Sequence, residues 1–339
     1  MRTNVNIEIA ATLQNKALGI CLVTVTYARR GAYVFKALES ALVECVQYAV
    51  VIDNGSAEPV QAGLRKRFGD KVIVERFNSN QGSAPGFKRG MQLAYDSGCE
   101  LMLLLDDDNQ LTAGSLQKLM SARQDLASRY GDNNCMVLAY RPGHQPYEGI
   151  GQNNGFLGFH VKEIPKKVLK RLLLWEPAEK LHSVLPYAPY SGLLFHREVI
   201  QRHGLPDERF VLYGDDLEFT HRVVAGGGAI QLVREAVLTE CETSWNIHEQ
   251  QKSFVEHLAG SSSDAAIAYS IRNRCYFEAH KRTHNRAIRR VNKWVMQIML
   301  WCVCWCRGRK SRWQLISSAI ADGEQGVLGV SRHGSAKLI

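Results

Sequence analysis

No apolar stretch among the 339 residues is long enough to cross a bilayer. The strongest candidate, WVMQIMLWCVCWC at 294–306, has 13 residues, whereas a spanning helix needs about 20. The opening MRTNVNIEIAATLQNK holds no apolar core of the kind a secretory signal requires. The nine cysteines are odd in number and scattered, with no Cys or His pairs at zinc spacing. That pattern argues against a disulfide scaffold and a structural zinc site, and a reducing cytoplasm is the expected setting. Cys302, Cys304 and Cys306 read as apolar filler, with lipidation as the alternative.

Acidic charge is also scarce in one place. Residues 272–313 carry 12 Lys and Arg against a single Glu, so the whole of the chain's net charge of +9 belongs to this segment. No nucleic-acid-binding module accompanies it. Within it Ile288, Val291, Val295, Ile298, Cys302 and Trp305 recur at helical spacing, with Trp294 and Trp301 between basic flanks. Such a helix suits the plane of an anionic membrane surface; the plainer reading is a terminal helix packed on the main domain.

The remainder has ordinary globular composition, 45% hydrophobic and 22% charged. ICLVTVTYA (20–28), YAVVIDNGS (48–56), KVIVERF (71–77) and ELMLLLD (100–106) are continuous apolar runs separated by helical spacing. Strands apolar throughout and joined by helices predict an α/β protein with a mostly parallel sheet covered on both faces. SGLLFH and AIQLV plausibly extend it, and KEIPKKVLKRLLLWEPAEKL suggests an amphipathic helix. In such sheets ligands bind beyond the carboxyl ends of the strands. Here those ends bear Thr26 and Tyr27, Asp53 and Asn54, Asn78 to Gly82, and Asp106 to Asp108.

Alternation along a strand would point Asp106 and Asp108 one way and Asp107 the other. Two carboxylates on one side can share a hard divalent ion with substrate phosphates. Alternatively, Asp107 or Asp108 caps a helix beginning near Thr112. Asp53 can accept from a pyrimidine ring N–H, or form an Asx-turn in DNGS.

Six segments, VTVTYARR, VVIDNGS, NSNQGSAPGFKRGM, LLLDDDNQL, SGLLFHREVI and LYGDDLEF, resemble inverting family 2 glycosyltransferases in order and approximate spacing. The resemblance spans roughly 18–275 and implies the GT-A fold. The triple Asp, TSWNIHEQ and AYSIRNRCYF look most like bacterial galactofuranosyltransferases and rhamnosyltransferases. It implies an N-terminal extension (1–17), a catalytic domain (18–247), a flexible loop (248–263) and a C-terminal basic, amphipathic helical region (264–339). It further implies Asp106, Asp108 and His248 as ligands of Mn2+ or Mg2+, imidazole favouring manganese. Thr26, Tyr27, Arg29, Asp53, Asn80, Lys88, Asp106, Asp107 and Arg272 would bind a UDP- or dTDP-sugar. Asp216 would be the catalytic base beside Asp215, with Gly192, Glu218 and Trp245 at the acceptor. The implied enzyme serves a lipid-linked glycan from the cytoplasmic face of the membrane. An aspartyl phosphotransferase built on DDDN and a non-catalytic nucleotide-binding surface protein are the competing readings.

Overall fold

The computed structural model describes residues 19–142, 155–157, 159–161, 184–241, 260, 263–282 and 285–331. Four strands follow the apolar runs: β1 (Ile20–Thr26), β2 (Tyr48–Asp53), β3 (Val72–Arg76) and β4 (Leu101–Leu104). They lie side by side in the order β3-β2-β1-β4, all parallel. The helices between them are α1 (Gly31–Val43), α2 (Gln61–Phe68) and α3 (Ser83–Asp96). Residue alternation divides the apolar content between the two faces. Val23, Val25, Val50 and Ile52 meet Phe87 and Met91 of α3, while Leu22, Ala49 and Val51 meet Val34 and Leu38 of α1. Burial on both faces explains why these strands show no polar alternation.

Beyond β4 the sheet becomes mixed. The short β5 (Asn109–Leu111) precedes α4 (Ser115–Tyr130), and β6 (Cys135–Tyr140) follows. After the two-residue β7 (Val184–Leu185) come β8 (Leu193–His196), α5 (Glu198–His203), α6 (Asp215–Ala225) and β9 (Ala229–Glu240). β8 inserts antiparallel between β4 and β6, and β9 runs parallel to β6. Of the nine strands among the described residues, six run in one direction; β5, β7 and β8 oppose them. The expected α/β sheet is present, with SGLLFH as its antiparallel member and CMVLAY as a strand that periodicity did not single out. KEIPKKVLKRLLLWEPAEKL and the 248–263 loop fall almost wholly outside the described residues.

Three helices close the chain: α7 (Asp264–His280), α8 (Arg286–Cys306) and α9 (Lys310–Glu324). They enclose their own core of Ile267, Ile271, Cys275, Met296, Leu300, Ile316 and Ile320. α7 also serves the main core, where Phe277 sits edge-on to Tyr187 at 5.4 Å. α7 thus packs on the main sheet as well as on α8 and α9.

α7 also fixes the turn before α6. Val211 and Tyr213 adopt φ of +65° and +67°, a conformation costly for a β-branched or bulky residue. The Asn273 amide donates to the carbonyls of Phe210 (2.8 Å), Leu212 (2.9 Å) and Tyr213 (2.8 Å). Gly82 presses on the other side: a Cβ there would lie 2.0 Å from the Val211 carbonyl oxygen. One buried amide thus satisfies three carbonyls and holds a strained turn. Asn273→Ala is expected to lower stability by about 1–3 kcal/mol, read in urea, and to speed amide exchange at Gly214 to Leu217. Unchanged exchange there would show that the turn holds itself.

Candidate active site

The three acids follow β4 in a turn, not in the strand itself. The Asn109 N–H donates to the Asp106 carbonyl at 3.2 Å, and β5 intervenes before α4, so neither Asp107 nor Asp108 caps a helix. The strand alternation expected for them does not carry over into the turn: Asp108 shares Arg30 with Asp107 and the Asn109 amide with Asp106. Asp107 is buried, accepting from Thr26 Oγ1 (2.7 Å) and Arg30 Nε (2.9 Å). Asp106 and Asp108 share the Asn109 amide, whose Nδ2 donates to Asp108 Oδ1 at 3.0 Å and reaches Asp106 Oδ2 at 3.5 Å.

Arg30 Nη2 bridges Asp107 (2.8 Å) and Asp108 (2.6 Å), and its guanidinium lies near the rings of Tyr27 and Tyr33. Desolvation nevertheless raises the Asp107 carboxyl above its ordinary range. Burial, then the Asp108 charge, pushes Asp106 up to about 7, with Arg141 at 3.9 Å acting against it. The Asp106 side chain remains 44% open to water, so it is deep in a cleft yet accessible to a ligand.

Across the cleft stands the first turn of α6. Asp215 is buried, and desolvation together with Asp216 raises its carboxyl well above the ordinary range. Asp216 is half-buried and pushed up to about 6 by burial, restrained by backbone N–H groups of the helix start and by Arg274. The charge of Asp216 contributes to the shift at Asp106, and that of Asp106 to the shift at Asp215. The Asp106 N–H donates to Ser191 Oγ at 3.3 Å and the adjacent Tyr190 bears on Asp215, so both turns border the segment leading into β8.

Other expected residues are placed differently. Tyr27 and Arg29 are exposed just beyond the end of β1. Asn80 accepts from Asn54 Nδ2 (2.9 Å) and Gly82 N (3.0 Å), shaping the loop at the end of β3. Lys88 pairs with Glu208 at 2.9 Å. Asp53 is buried and held by Ser56 N (2.8 Å) and Arg76 Nη1 (2.5 Å), the Asx-turn arrangement. A base contact through it would require Arg76 to move. Gly192 lies inside the sheet, its N–H bonded to the Leu104 carbonyl and its own carbonyl to the Ala139 N–H, so it offers an acceptor nothing. Arg272 is likewise internal, donating to the carbonyls of Gly329 (2.6 Å) and Phe210 (3.4 Å), which makes it a brace rather than a diphosphate ligand. Glu218 is buried between Arg222 (3.2 Å) and Lys281 (3.1 Å). Trp245 and His248 lie outside the described residues.

Sequence reasoning passed over Arg30 in favour of Arg29, and also missed Asn109, Arg141 and Asn273. The signal for Arg30 was its position four residues past a strand-end Thr, facing the acids of a neighbouring strand. No three Asp, Glu, His or Cys side chains converge as a metal cluster among the described residues. Asp106 and Asp108, tied to one amide and both reached by water, fit a hard cation that takes two protein oxygens and completes its shell from phosphate and water.

Residues 21–156 match the family model described as Glycosyl transferase family 2. A search of curated proteins finds no match. Among solved structures, S. aureus TarS 1-349 in complex with UDP-GlcNAc is similar with a TM-score of 0.53 and 12% identity, over 91% of this chain and 82% of that one. The mannosyltransferase PcManGT from Pyrobaculum calidifontis, in complex with GDP-Man and Mn2+, has a TM-score of 0.50 and 11% identity over 95% and 83%. GalNAc-T7 with UDP, GalNAc and Mn2+ has a TM-score of 0.52 and 13% identity over 78% of this chain; the chain spans 48% of its length. These likenesses establish the GT-A fold.

Arg30 is the counter-charge on which the acidic turn rests. Arg30→Ala leaves Asp107 buried without its cation and is expected to lower stability by on the order of 3 kcal/mol. Adding Asp107→Asn to that variant should restore part of the loss in a urea titration. Strictly additive losses would show that the pair is not coupled.

Proposed function

We propose that this protein is a glycosyltransferase that moves a sugar from a nucleoside diphosphate donor to an acceptor hydroxyl in a single inverting displacement. The observation that carries the reading is a pair of acidic turns on a GT-A sheet, Asp106 to Asp108 after β4 and Asp215 to Asp216 at the start of α6, both bordering Tyr190 and Ser191, with their charges adding to the burial that raises Asp106 and Asp215. The nucleotide sugars and Mn2+ in the similar structures support it.

Asp216 is the base. Its carboxylate takes the acceptor proton as that oxygen bonds to the anomeric carbon and the bond from that carbon to the diphosphate breaks. Asp215 holds its own proton more tightly, which leaves Asp216 as the free carboxylate near neutral pH. Asp106 and Asp108 would hold Mn2+ or Mg2+, which supplies charge stabilisation to the departing diphosphate. Arg30 keeps Asp107 and Asp108 oriented. Tyr27, exposed beyond the end of β1, would stack on the donor base. UDP-galactofuranose is the donor assigned first and dTDP-rhamnose second, with a lipid-linked glycan as acceptor; the triple Asp and TSWNIHEQ support that order. The aspartyl phosphotransferase reading is weaker, because Asp107 is sequestered by Thr26 and Arg30 instead of being presented as a nucleophile.

Asp216→Asn is expected to lower turnover by about 10²–10⁴-fold while leaving donor binding intact. In the unsubstituted enzyme, turnover should rise with pH as Asp216 ionises near 6 and level off above it. Both are read by nucleotide release from a panel of UDP- and dTDP-sugars. Full turnover in the Asn variant would remove Asp216 from the role.

A further inference from the structure

We propose that the outward face of α8 seats the protein on an anionic lipid surface, with the helix lying along the bilayer plane. The inward face of this helix is already packed. Asn292, Met296, Leu300 and Cys304 are buried in one stripe, and Asn292 accepts from the Val161 N–H at 3.0 Å. Arg289 and Lys293 both pair with Glu324 of α9, at 3.0 and 2.5 Å. On a helix that only covered its own domain, the opposite face would be polar. It carries Val291, Trp294, Ile298, Trp301 and Trp305 instead.

These side chains are open to solvent: Trp294 is 64% exposed, Ile298 58% and Trp305 53%. Positions 294, 298, 301 and 305 advance by four, three and four, so they fall on one line, roughly opposite the buried stripe. Trp301 and Trp305 lie with ring centroids 5.5 Å apart. The stripe that periodicity identified in the sequence is thus mostly the exposed one, and the core-facing stripe is offset from it. Tryptophan suits the boundary between water and lipid, where an apolar ring and a polar N–H are both accommodated.

The charges select the occupant. Exposed Arg286 and Arg290 flank the first turns, and exposed Arg307, Arg309 and Lys310 follow the last. The surrounding 272–313 segment has 12 basic residues and one acidic. Two copies pairing through this face would bring those cations together, which like-charge repulsion opposes. Anionic headgroups would instead complement them. No helix among the described residues is long and apolar enough to cross a membrane; the geometry is that of a helix lying in the interface.

The test uses the full chain and vesicles of phosphatidylcholine, alone or with about one-third phosphatidylglycerol. Co-sedimentation is expected with the anionic vesicles at low salt, at least about tenfold weaker with neutral vesicles or in high salt. Tryptophan emission should shift to the blue on binding. Trp294→Ser, Trp301→Ser and Trp305→Ser combined should abolish both effects with an unchanged thermal melt, since none of these rings is buried. Absence of binding to anionic vesicles would overturn the proposal, as would binding of the triple variant equal to that of the parent. A dimer in gel filtration that the triple substitution dissolves, with no vesicle binding, would assign the face to a second copy instead. No sugar donor enters the measurement, so failure here leaves the transferase reading untouched.

Discussion

Repulsion among five carboxyl groups at one edge of the sheet is the constraint around which the rest is arranged. Asp106, Asp107 and Asp108 follow β4 and Asp215 and Asp216 open α6, with Asp107 and Asp215 buried and Asp106 and Asp108 reached by water. The resident counter-charges are few: Arg30 on Asp107 and Asp108, Arg141 beyond Asp106, and Arg274 near Asp216. They do not balance desolvation, because Asp106, Asp215 and Asp216 all stay above the ordinary carboxylate range. Between that range and about 7 the folded protein keeps protons that the unfolded chain releases. The acids therefore subtract stability as pH rises through that window. A cation held by these acids would offset the penalty and so couple stability of the fold to ligand occupancy.

Holding such acids in place requires rigid supports from outside the strands. Thr26 at the end of β1 anchors Asp107, so the first strand positions the fourth strand's turn. The second acidic turn depends on α7, whose Asn273 amide is shared among the Phe210, Leu212 and Tyr213 carbonyls and whose Arg272 ties Phe210 to Gly329. α7 in turn shares a core with α8 and α9. The face we assign to lipid is thus joined by packed helices to the turn bearing the proposed base. An acceptor carried in a membrane would approach a site whose distance from the bilayer is set by that helical core.

Much of this arrangement was legible in the sequence. β1 to β4 were readable because burial on both faces leaves continuous apolar runs, and the acids stood out because each cluster ends such a run or follows a turn signal. β6 was hidden by lying next to a long helix across a connection of only four residues. The antiparallel setting of β8 is a pairing between distant segments that no local pattern encodes. Side-chain allegiance was harder still. Arg29 and Arg30 are adjacent and chemically equal, and only the fold shows which meets the acids. Arg272 and Asp53 are residue types suited to ligands, yet buried partners use their hydrogen-bonding capacity. Gly192 is required for packing, where a Cβ would press on Leu238 and Ala139.

The central claim is that the paired acidic turns form a cation-dependent nucleotide site. Calorimetric titration of UDP and dTDP into the full chain, with Mn2+ and then with EDTA, tests it most directly. The account predicts binding of one of the two nucleotides that requires the metal and is lost in EDTA. No binding of either nucleotide in the presence of Mn2+, or binding indifferent to EDTA, would contradict it.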